Sequence, residues 1–385
     1  MSGELDATQI VSILKASGLR GMGGAGFPAG QKWEFVIREA AVPKYVVCNA
    51  DEGEPGTFKD RTFLEQSPHE VLEGLLVAAT AIGAKEAVVY VREEYAAARA
   101  NLRRAIGELR KAGLPPSDGP RVRIVVGAGA YVCGEETAML ESIEGKRGEP
   151  RLRPPYPASF GLWGMPTLIH NVETLARVSQ ILRRGADWFR SLGRNGAAGM
   201  RRFAFSGHVA KPGWADAPLG LPLEDLIREY AGGPGDGHSL KAVFPGGLAS
   251  GFLGPGQLTT PMDFEAVART GASLGSGGVI ALDDRVCAVD TAENCLEFFA
   301  HESCGKCTPC RAGSEKLLQM VRNLRMGKSS LDSGAVDELA ATMIDTSICG
   351  LGTTAPVALR LALQHFPEEF DAHARGRCPT GWCAR

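Results

Sequence analysis

The chain has 385 residues, enough for two or three domains. Its 42 Lys+Arg against 44 Asp+Glu leave a net charge of −2, which excludes a strongly basic nucleic-acid binder and gives no electrostatic case for an anionic membrane surface. A hydrophobic fraction of 44% supplies real cores, while 49 glycines and 10 unevenly placed cysteines each need a reason.

The N-terminus, MSGELDATQIVSILKASGL, has no basic start, long apolar run or small-residue cleavage site. It predicts a chain without a secretory leader, in a reducing cytoplasm where disulfides do not form. The longest charge-free stretch, 242–262, contains Pro245, Pro255, Pro261 and five glycines, too many breakers for a membrane-spanning helix.

In chain order, a helix is predicted over 7–17, then the loop Gly21-Met22-Gly23-Gly24-Ala25-Gly26. The loop satisfies G-x-G-x-x-G, but it leaves a helix instead of a strand and runs into Phe27-Pro28, the wrong context for an ordinary dinucleotide turn. Such a loop suits a phosphate or a planar ring lying on backbone. A plain surface loop is the alternative, against which the neighbouring Phe27 and Trp33 count.

Lys44–Asn49 reads as a strand, and Ser67-Pro68-x-Glu70 as the capping-box start of a helix that stops near Gly83. Strands at 86–91 and 121–126 alternate with a helix at 95–111, and a glycine-rich turn at 127–134 feeds a helix at 135–144. This alternation predicts a parallel sheet with right-handed crossovers. Prolines between 147 and 172 mark an extended segment, a helix resumes over 172–190, and NGAAG at 195–199 is a boundary. Strands at 201–209, 241–247 and 278–284 with a helix at 222–233 suit a small α+β domain. From 292 onward the pattern is helical, over 292–301, 309–327, 333–346 and 353–370.

Cys304, Cys307 and Cys310 form C-x2-C-x2-C, three thiols that wrap one corner of a metal centre. A ferredoxin-type run would place its fourth cysteine at Ser314, so the fourth ligand comes from elsewhere, with Cys349 in SICGLG the best candidate. Gly350 and Gly352 beside it would leave room for inorganic sulfide. A structural zinc site joining Cys304 and Cys307 to Cys378 and Cys383 is the competing reading, although a triplet fits a cubane better than zinc. Cys48, Cys133, Cys287 and Cys295 read as buried core thiols.

Two further loops carry polar groups at strand ends, where ligands of parallel sheets sit. The loop 127–134 precedes a helix whose N-terminus suits a phosphate. Glu135 and Glu136 open that helix, and complementing its dipole is their plain role. The loop 49–56 follows the first strand, and its Asp51, Glu52 and Glu54 suit ribose hydroxyls or ring N–H groups and would repel a 2′-phosphate. A solvated acidic turn is the alternative. Phe27, Phe35 and Tyr156 are aromatics beside these loops, and Arg153 is a cation with a phosphate or surface carboxylates as partner.

The segments 18–33, 49–61, 127–167, 170–176, 302–313 and 347–352, in this order, resemble one family. It is the NADH- and FMN-binding flavoprotein subunit of respiratory complex I, shared with NAD-dependent formate dehydrogenases and NAD-reducing hydrogenases. The resemblance implies a Rossmann-like α/β domain over 1–199, a ubiquitin-like β-grasp domain over 200–289 and a four-helix bundle over 290–385. FMN would be held by Gly21, Gly23, Gly24, Ala25, Lys32, Asn49, Asp51, Tyr131, Gly134, Glu135 and Asn171. NAD(H) would stack among Phe27, Phe35 and Tyr156, with Glu54, Glu136 and Arg153 at its ribose and phosphates. One [4Fe–4S] cluster would sit on Cys304, Cys307, Cys310 and Cys349. The implied reaction is diaphorase-type electron transfer, hydride exchanged between NAD(H) and FMN and single electrons passed through the cluster, with Glu135 tuning the nicotinamide site.

Met22 stands where many members have Arg, Arg153 and Tyr156 where Lys and Phe are frequent, and His170 where complex I commonly has Asn. His170 and the pair Cys378/Cys383 lean toward the soluble formate dehydrogenase branch. That branch usually carries an N-terminal thioredoxin-like [2Fe–2S] domain, for which these three domains leave no room. The partners that the resemblance implies are a separate small [2Fe–2S] thioredoxin-like subunit and a larger iron–sulfur or catalytic subunit.

Overall fold

A computed structural model describes residues 5–384 apart from Asp236. They form two compact units: the first takes the chain up to Gly53 with Phe58–Arg202 and Asp216–Gly220, the second Glu54–Thr57, Phe203–Ala215 and Leu221 onward.

The first unit opens with α1 (Ala7–Ser17), whose N-cap Asp6 and Gln9 bond reciprocally, and α2 (Ala29–Arg38). Then come β1 (Lys44–Ala50), α3 (Lys59–Gln66), α4 (Pro68–Ile82), β2 (Ala84–Arg92), α5 (Ala96–Lys111) and β3 (Arg121–Gly127). The remainder is α6 (Glu136–Ile143), β4 (Thr167–Asn171), α7 (Val172–Arg184) and α8 (Ala186–Ser191). The expected parallel sheet is present, in the order β3-β2-β1-β4. The middles of its two central strands are apolar, Val46, Val47, Val88, Val89 and Val91 all being fully buried, as a sheet covered on both faces requires.

The chain leaves β1 toward β2 and β3 and returns on the other side for β4. The switch point therefore lies between β1 and β4, where crevices form at the carboxyl ends of strands. Asn49 and Asn171 are register partners at that end.

Local expectations fail in three instructive places. Ser67 precedes α4 but makes no side-chain cap; Glu70 instead accepts from Gln180 Nε2 at 2.7 Å on α7. The helix expected over 172–190 breaks at Gly185 into α7 and α8. The short α3 went unpredicted because its polar sequence, KDRTFLEQ, has no apolar stripe.

A second four-stranded sheet has β5 (Met200–Gly207), β6 (Gly213–Pro218), β7 (Leu240–Phe244) and β8 (Gly278–Asp283) in the order β6-β5-β8-β7; Phe203–Gly207 of β5, Gly213–Ala215 of β6 and all of β7 and β8 fall in the second unit. β5 and β8 run parallel, β7 and β8 antiparallel. Helices α9 (Leu223–Ala231) and α10 (Phe264–Ala268) accompany it. The rest is helical: α11 (Ala288–Glu302), α12 (Thr308–Arg325), α13 (Ser333–Thr346), α14 (Gly350–Thr354), α15 (Val357–His365) and α16 (Pro367–Ala374). α11 packs on α12 and α15, and α12 on α13 and α14. Among the described residues no helix is long and apolar enough to cross a membrane.

Candidate functional site

The glycine loop after α1 is pinned at both ends and from behind. Gly21 N–H donates to Phe27 O at 2.8 Å, Met22 N–H to Thr174 Oγ1 at 2.9 Å, and Arg201 Nη2 to Met22 O at 2.7 Å. The amides of Gly23, Gly24 and Ala25 carry no hydrogen bond among the described residues. Gly24 sits at φ +147° with open space where a side chain would be, and a Cβ on Gly23 would stand 3.0 Å from Asn171 Cβ. Three free donors on a fixed, side-chain-free loop are what a phosphate or a ring edge needs. The loop opens α2 after all, but no strand leads into it.

Asn171 caps α7, accepting from Glu173 N–H at 3.0 Å, and donates through Nδ2 to Asp60 Oδ2 at 2.5 Å. Below it lies a buried ion network that sequence reasoning missed. Lys59 Nζ meets Asp60 Oδ1 at 2.6 Å, Glu173 Oε2 at 3.1 Å and Asn171 Oδ1 at 3.3 Å. Glu173 also pairs with Arg177 at 3.2 Å and accepts from Arg202 N–H at 2.6 Å. Charged residues in helices read as surface residues, so nothing in the sequence marked this cluster.

Across the crevice, Asn49 Nδ2 donates to Gly134 O at 2.8 Å, and Asn49 Oδ1 accepts from Asp51 N–H at 3.1 Å. Gly53 lies against the Tyr131 ring, 3.3 Å from a built Cβ. Glu135 is the N-cap of α6: Oε2 accepts from Thr137 N–H and Ala138 N–H, both at 2.9 Å. Its plain role is thus real for one oxygen. Buried Oε1 accepts no hydrogen bond and lies 3.6 Å from Arg153 Nη1. Glu136 pairs with Lys32 at 2.8 Å and with Arg153 at 3.8 Å. Phe27 and Phe35 stand with ring centroids 6.2 Å apart, and both rings, like Tyr156, are exposed.

The acidic loop is not a solvated patch. Glu52 turns inward, accepting from Asp60 N–H at 2.8 Å, Arg61 N–H at 3.0 Å and Tyr95 Oη at 2.8 Å. Burial, reinforced by the Asp60 charge, pushes its carboxyl up to about 7. Glu54 belongs to the second unit, where Oε1 accepts from Ala249 N–H at 2.7 Å. Asp51 alone keeps the strand-end position expected of all three.

In the second unit Cys304 lies in the loop after α11, Cys307 caps α12, Cys310 sits in its first turn, and Cys349 caps α14. Ser303 Oγ lies 3.3 Å from Cys310 Sγ. A Cβ on Gly352 would meet Ser347 and stand 2.8 Å from Cys310 Cβ, so the turn after Cys349 reaches Cys310. Gly352 thus makes room for protein packing, while Gly350 faces open space. Ser314, at the ferredoxin ligand position, is buried in α12 and donates to Cys310 O at 2.8 Å. Cys378 and Cys383 do not join Cys304 and Cys307; they gather with Cys287 and His373. Cys48, Cys133 and Cys295 are the buried thiols expected, and burial pushes Cys295 up to about 12.

Residues 14–180 match the Nuo51 FMN-binding domain, and residues 290–373 the NADH-ubiquinone oxidoreductase-F iron-sulfur binding region. The NADH-quinone oxidoreductase F 2 subunit of Rhizobium meliloti is 48% identical over 98% of this chain and 91% of its own. The chain belongs to this family of NADH-quinone oxidoreductase F subunits. NADP-reducing hydrogenase subunit HndC of Solidesulfovibrio fructosivorans is 41% identical over 97% of this chain and 78% of its own. The crystal structure of an NAD+-reducing [NiFe]-hydrogenase superposes with a TM-score of 0.90 at 39% identity, covering 97% of this chain and 63% of that one. Nothing in these likenesses singles out a formate dehydrogenase.

The chain is thus an oxidoreductase subunit with FMN and a [4Fe–4S] cluster as cofactors. The residues fit both: free amides beside a Lys and two Asn at a sheet switch point for the flavin, and, for the cluster, Cys307, Cys310 and Cys349 at two helix starts with Cys304 in the loop before the first.

His170 does not touch the crevice. It is buried on β4 and accepts from Trp33 Nε1 at 2.8 Å. Burial, with Lys32 adding to it, drives the imidazole down to about 3. Below the unfolded value of about 6.5 the unfolded chain takes a proton that the folded chain refuses, so stability falls as pH drops from there toward 3. For His170→Gln, whose amide can still accept from Trp33, the loss between pH 7 and pH 5 is expected to be smaller by about 2 kcal/mol. Urea midpoints at the two pH values measure this, and an unchanged difference would clear His170 of the effect.

Proposed function

We propose that this chain is the diaphorase subunit of a larger complex, oxidising NADH, or reducing NAD+, at the first unit. The observation that carries the reading is the pairing of Asn49 and Asn171 at the switch point beside three free loop amides. FMN, when bound, exchanges a hydride with NAD(H) and handles its electrons singly, which is what a one-electron cluster requires.

The chain's own residues bind and orient. Gly23, Gly24 and Ala25 offer amides; Lys32, Asn49, Asp51, Tyr131, Gly134 and Asn171 frame the flavin. Phe27, Phe35 and Tyr156 supply apolar faces for a nicotinamide, and Glu136 and Arg153 polar contacts for its ribose and phosphates. The Glu135 oxygen that faces Arg153 and accepts no hydrogen bond is the acceptor that would serve the nicotinamide. Glu54 keeps a nucleotide role only alongside its bond to Ala249. The Lys32–Glu136 pair couples the two sets, since one partner is assigned to each cofactor.

We assign residues 1–199 to the flavin domain, 200–289 to a β-grasp and 290–385 to a four-helix bundle holding the cluster on Cys304, Cys307, Cys310 and Cys349. The mixed sheet β6-β5-β8-β7 supports the second assignment, and the packing of α11, α12, α13 and α15 the third. A thioredoxin-like [2Fe–2S] subunit and a larger iron–sulfur subunit are the partners, in the cytoplasm. The lean toward a formate dehydrogenase is left without a specific likeness, and His170, bonded to Trp33, and Cys378 and Cys383, beside Cys287 and His373, have local surroundings of their own. Among complexes, an NADH-quinone oxidoreductase is favoured by the 48% relative.

Purified chain is expected to release one FMN on acid treatment, to carry four irons with acid-labile sulfide, and to reduce ferricyanide with NADH. Flavin-loaded protein inert to NADH would overturn the reading. Glu136→Gln is expected to raise the KM for NADH about tenfold, the value of one charge-assisted hydrogen bond, with FMN content unchanged. Loss of flavin at constant KM would assign Glu136 to the flavin instead.

A further inference from the structure

Among the described residues of the second unit, two groups of metal-ligating side chains lie outside the electron-transfer site, and only one of them contains thiols. Cys287 Sγ, His373 Nε2, Cys378 Sγ and Cys383 Sγ all lie within 4.8 Å of one another. We propose that these four side chains form a closed structural zinc site that ties the C-terminal tail to the start of α11.

The geometry is that of a single ion. Zinc–sulfur bonds of about 2.3 Å and a zinc–nitrogen bond of about 2.0 Å, arranged tetrahedrally, put each sulfur about 3.5 Å from the nitrogen. His373 Nε2 stands 3.6 Å from Cys287 Sγ and 3.5 Å from Cys383 Sγ. A set this tight encloses one ion, whereas a cubane keeps its thiolates apart on four separate irons. Three thiolates and one imidazole is a standard structural zinc shell, and the site keeps no position for water or substrate.

The imidazole is also prepared for a metal. His373 Nδ1 lies 2.8 Å from the backbone carbonyl of Glu369, one turn back on α16. A proton on Nδ1 donates to that carbonyl, which leaves the Nε2 lone pair facing the three sulfurs. Orienting a ligand ring through its other nitrogen is the usual second layer of a metal site. Glu369 is itself held by α11, its Oε2 accepting from Ala288 N–H at 2.7 Å, one residue after Cys287. Two ligands are therefore fixed by helices before the tail arrives.

The tail brings the other two. His373, Cys378 and Cys383 are evenly spaced, five residues apart, so a single pass of chain returns twice to the same point. Trp382 anchors the last ligand: its Nε1 donates to Asp290 Oδ2 at 3.0 Å, and its ring meets His208 edge-on at 6.2 Å between centroids. On binding, Zn2+ displaces three thiol protons, and the neutral imidazole gives up none.

The test uses the full-length chain, expressed with zinc in the medium and analysed for zinc and iron together. About one zinc per chain is expected, with X-ray absorption at the zinc edge giving three sulfurs and one nitrogen. Cys378→Ser/Cys383→Ser is expected to drop zinc at least tenfold while iron and flavin stay at wild-type levels. Wild-type protein that carries iron but no zinc, a Cys378–Cys383 disulfide found by thiol mapping, or a four-sulfur zinc shell would overturn the proposal. So would a double variant that keeps its zinc. The wild-type zinc count and shell decide the matter even where the variant folds poorly.

Discussion

Lys59→Met is expected to cost about 3–5 kcal/mol of stability and to empty the flavin crevice, because it leaves buried carboxylates without their shared cation. Lys59 is 1% exposed, yet its ammonium meets Asp60, Glu173 and Asn171 at 2.6, 3.1 and 3.3 Å. Burial alone would push an ammonium down; here the Asp60 and Glu173 charges outweigh it and the net movement is upward. The cation is therefore held charged by its surroundings. Without it, Glu173 keeps Arg177 and the Arg202 amide, Asp60 keeps Asn171, and the buried Arg201 is the remaining cation that both carboxylates feel. Asn171 loses one of the two donors to its oxygen, keeping the Glu173 amide, which loosens the end of β4 that backs Gly23. Urea denaturation and FMN released per chain measure the two effects separately. Lys59→Met/Glu173→Gln is expected to recover part of the stability, since one of the stranded charges is then gone. An unchanged midpoint and full flavin content in the single variant would show that the network is peripheral to the site.

This network marks where the sequence stopped being readable. The strands announced themselves because Val46, Val47, Val88 and Val89 sit in short apolar runs bounded by breakers. The glycine loop was visible as a motif, though its partner at the switch point, Asn171, came only through likeness to a family. Lys59, Asp60, Glu173 and Arg201 gave no signal at all, since a buried ion cluster has the composition of a solvated helix face. Glu52 shows the same blindness in reverse: a residue read as an exposed acid is a buried carboxyl bonded to two amides and a tyrosine. Spacing served best where the chemistry is local. Three cysteines within seven residues named a metal centre, but Cys287 and His373 are 86 residues apart and only folding could introduce them.

Cys349→Ser is expected to lower iron by at least tenfold, while flavin content and the NADH–ferricyanide rate persist, because that assay takes its electrons at the flavin. Passage of electrons to a partner complex should vanish. The informative companion is Ser314→Cys. A ferredoxin-type cluster would take its fourth thiolate from this position. In this fold Ser314 is fully buried in α12, its hydroxyl spent on Cys310 O at 2.8 Å. A thiol there remains on the helix interior, so Cys349→Ser/Ser314→Cys should hold no more iron than Cys349→Ser alone. Gly352 bears on the proposed role of Cys349 as fourth ligand. It lets the first turn of α14, capped by Cys349, close against Cys310. Gly352→Val should then mimic the cysteine variant, losing iron with all four ligands intact. Iron restored by Ser314→Cys, or retained by Gly352→Val, would mean that the fourth ligand reaches the cluster by another route.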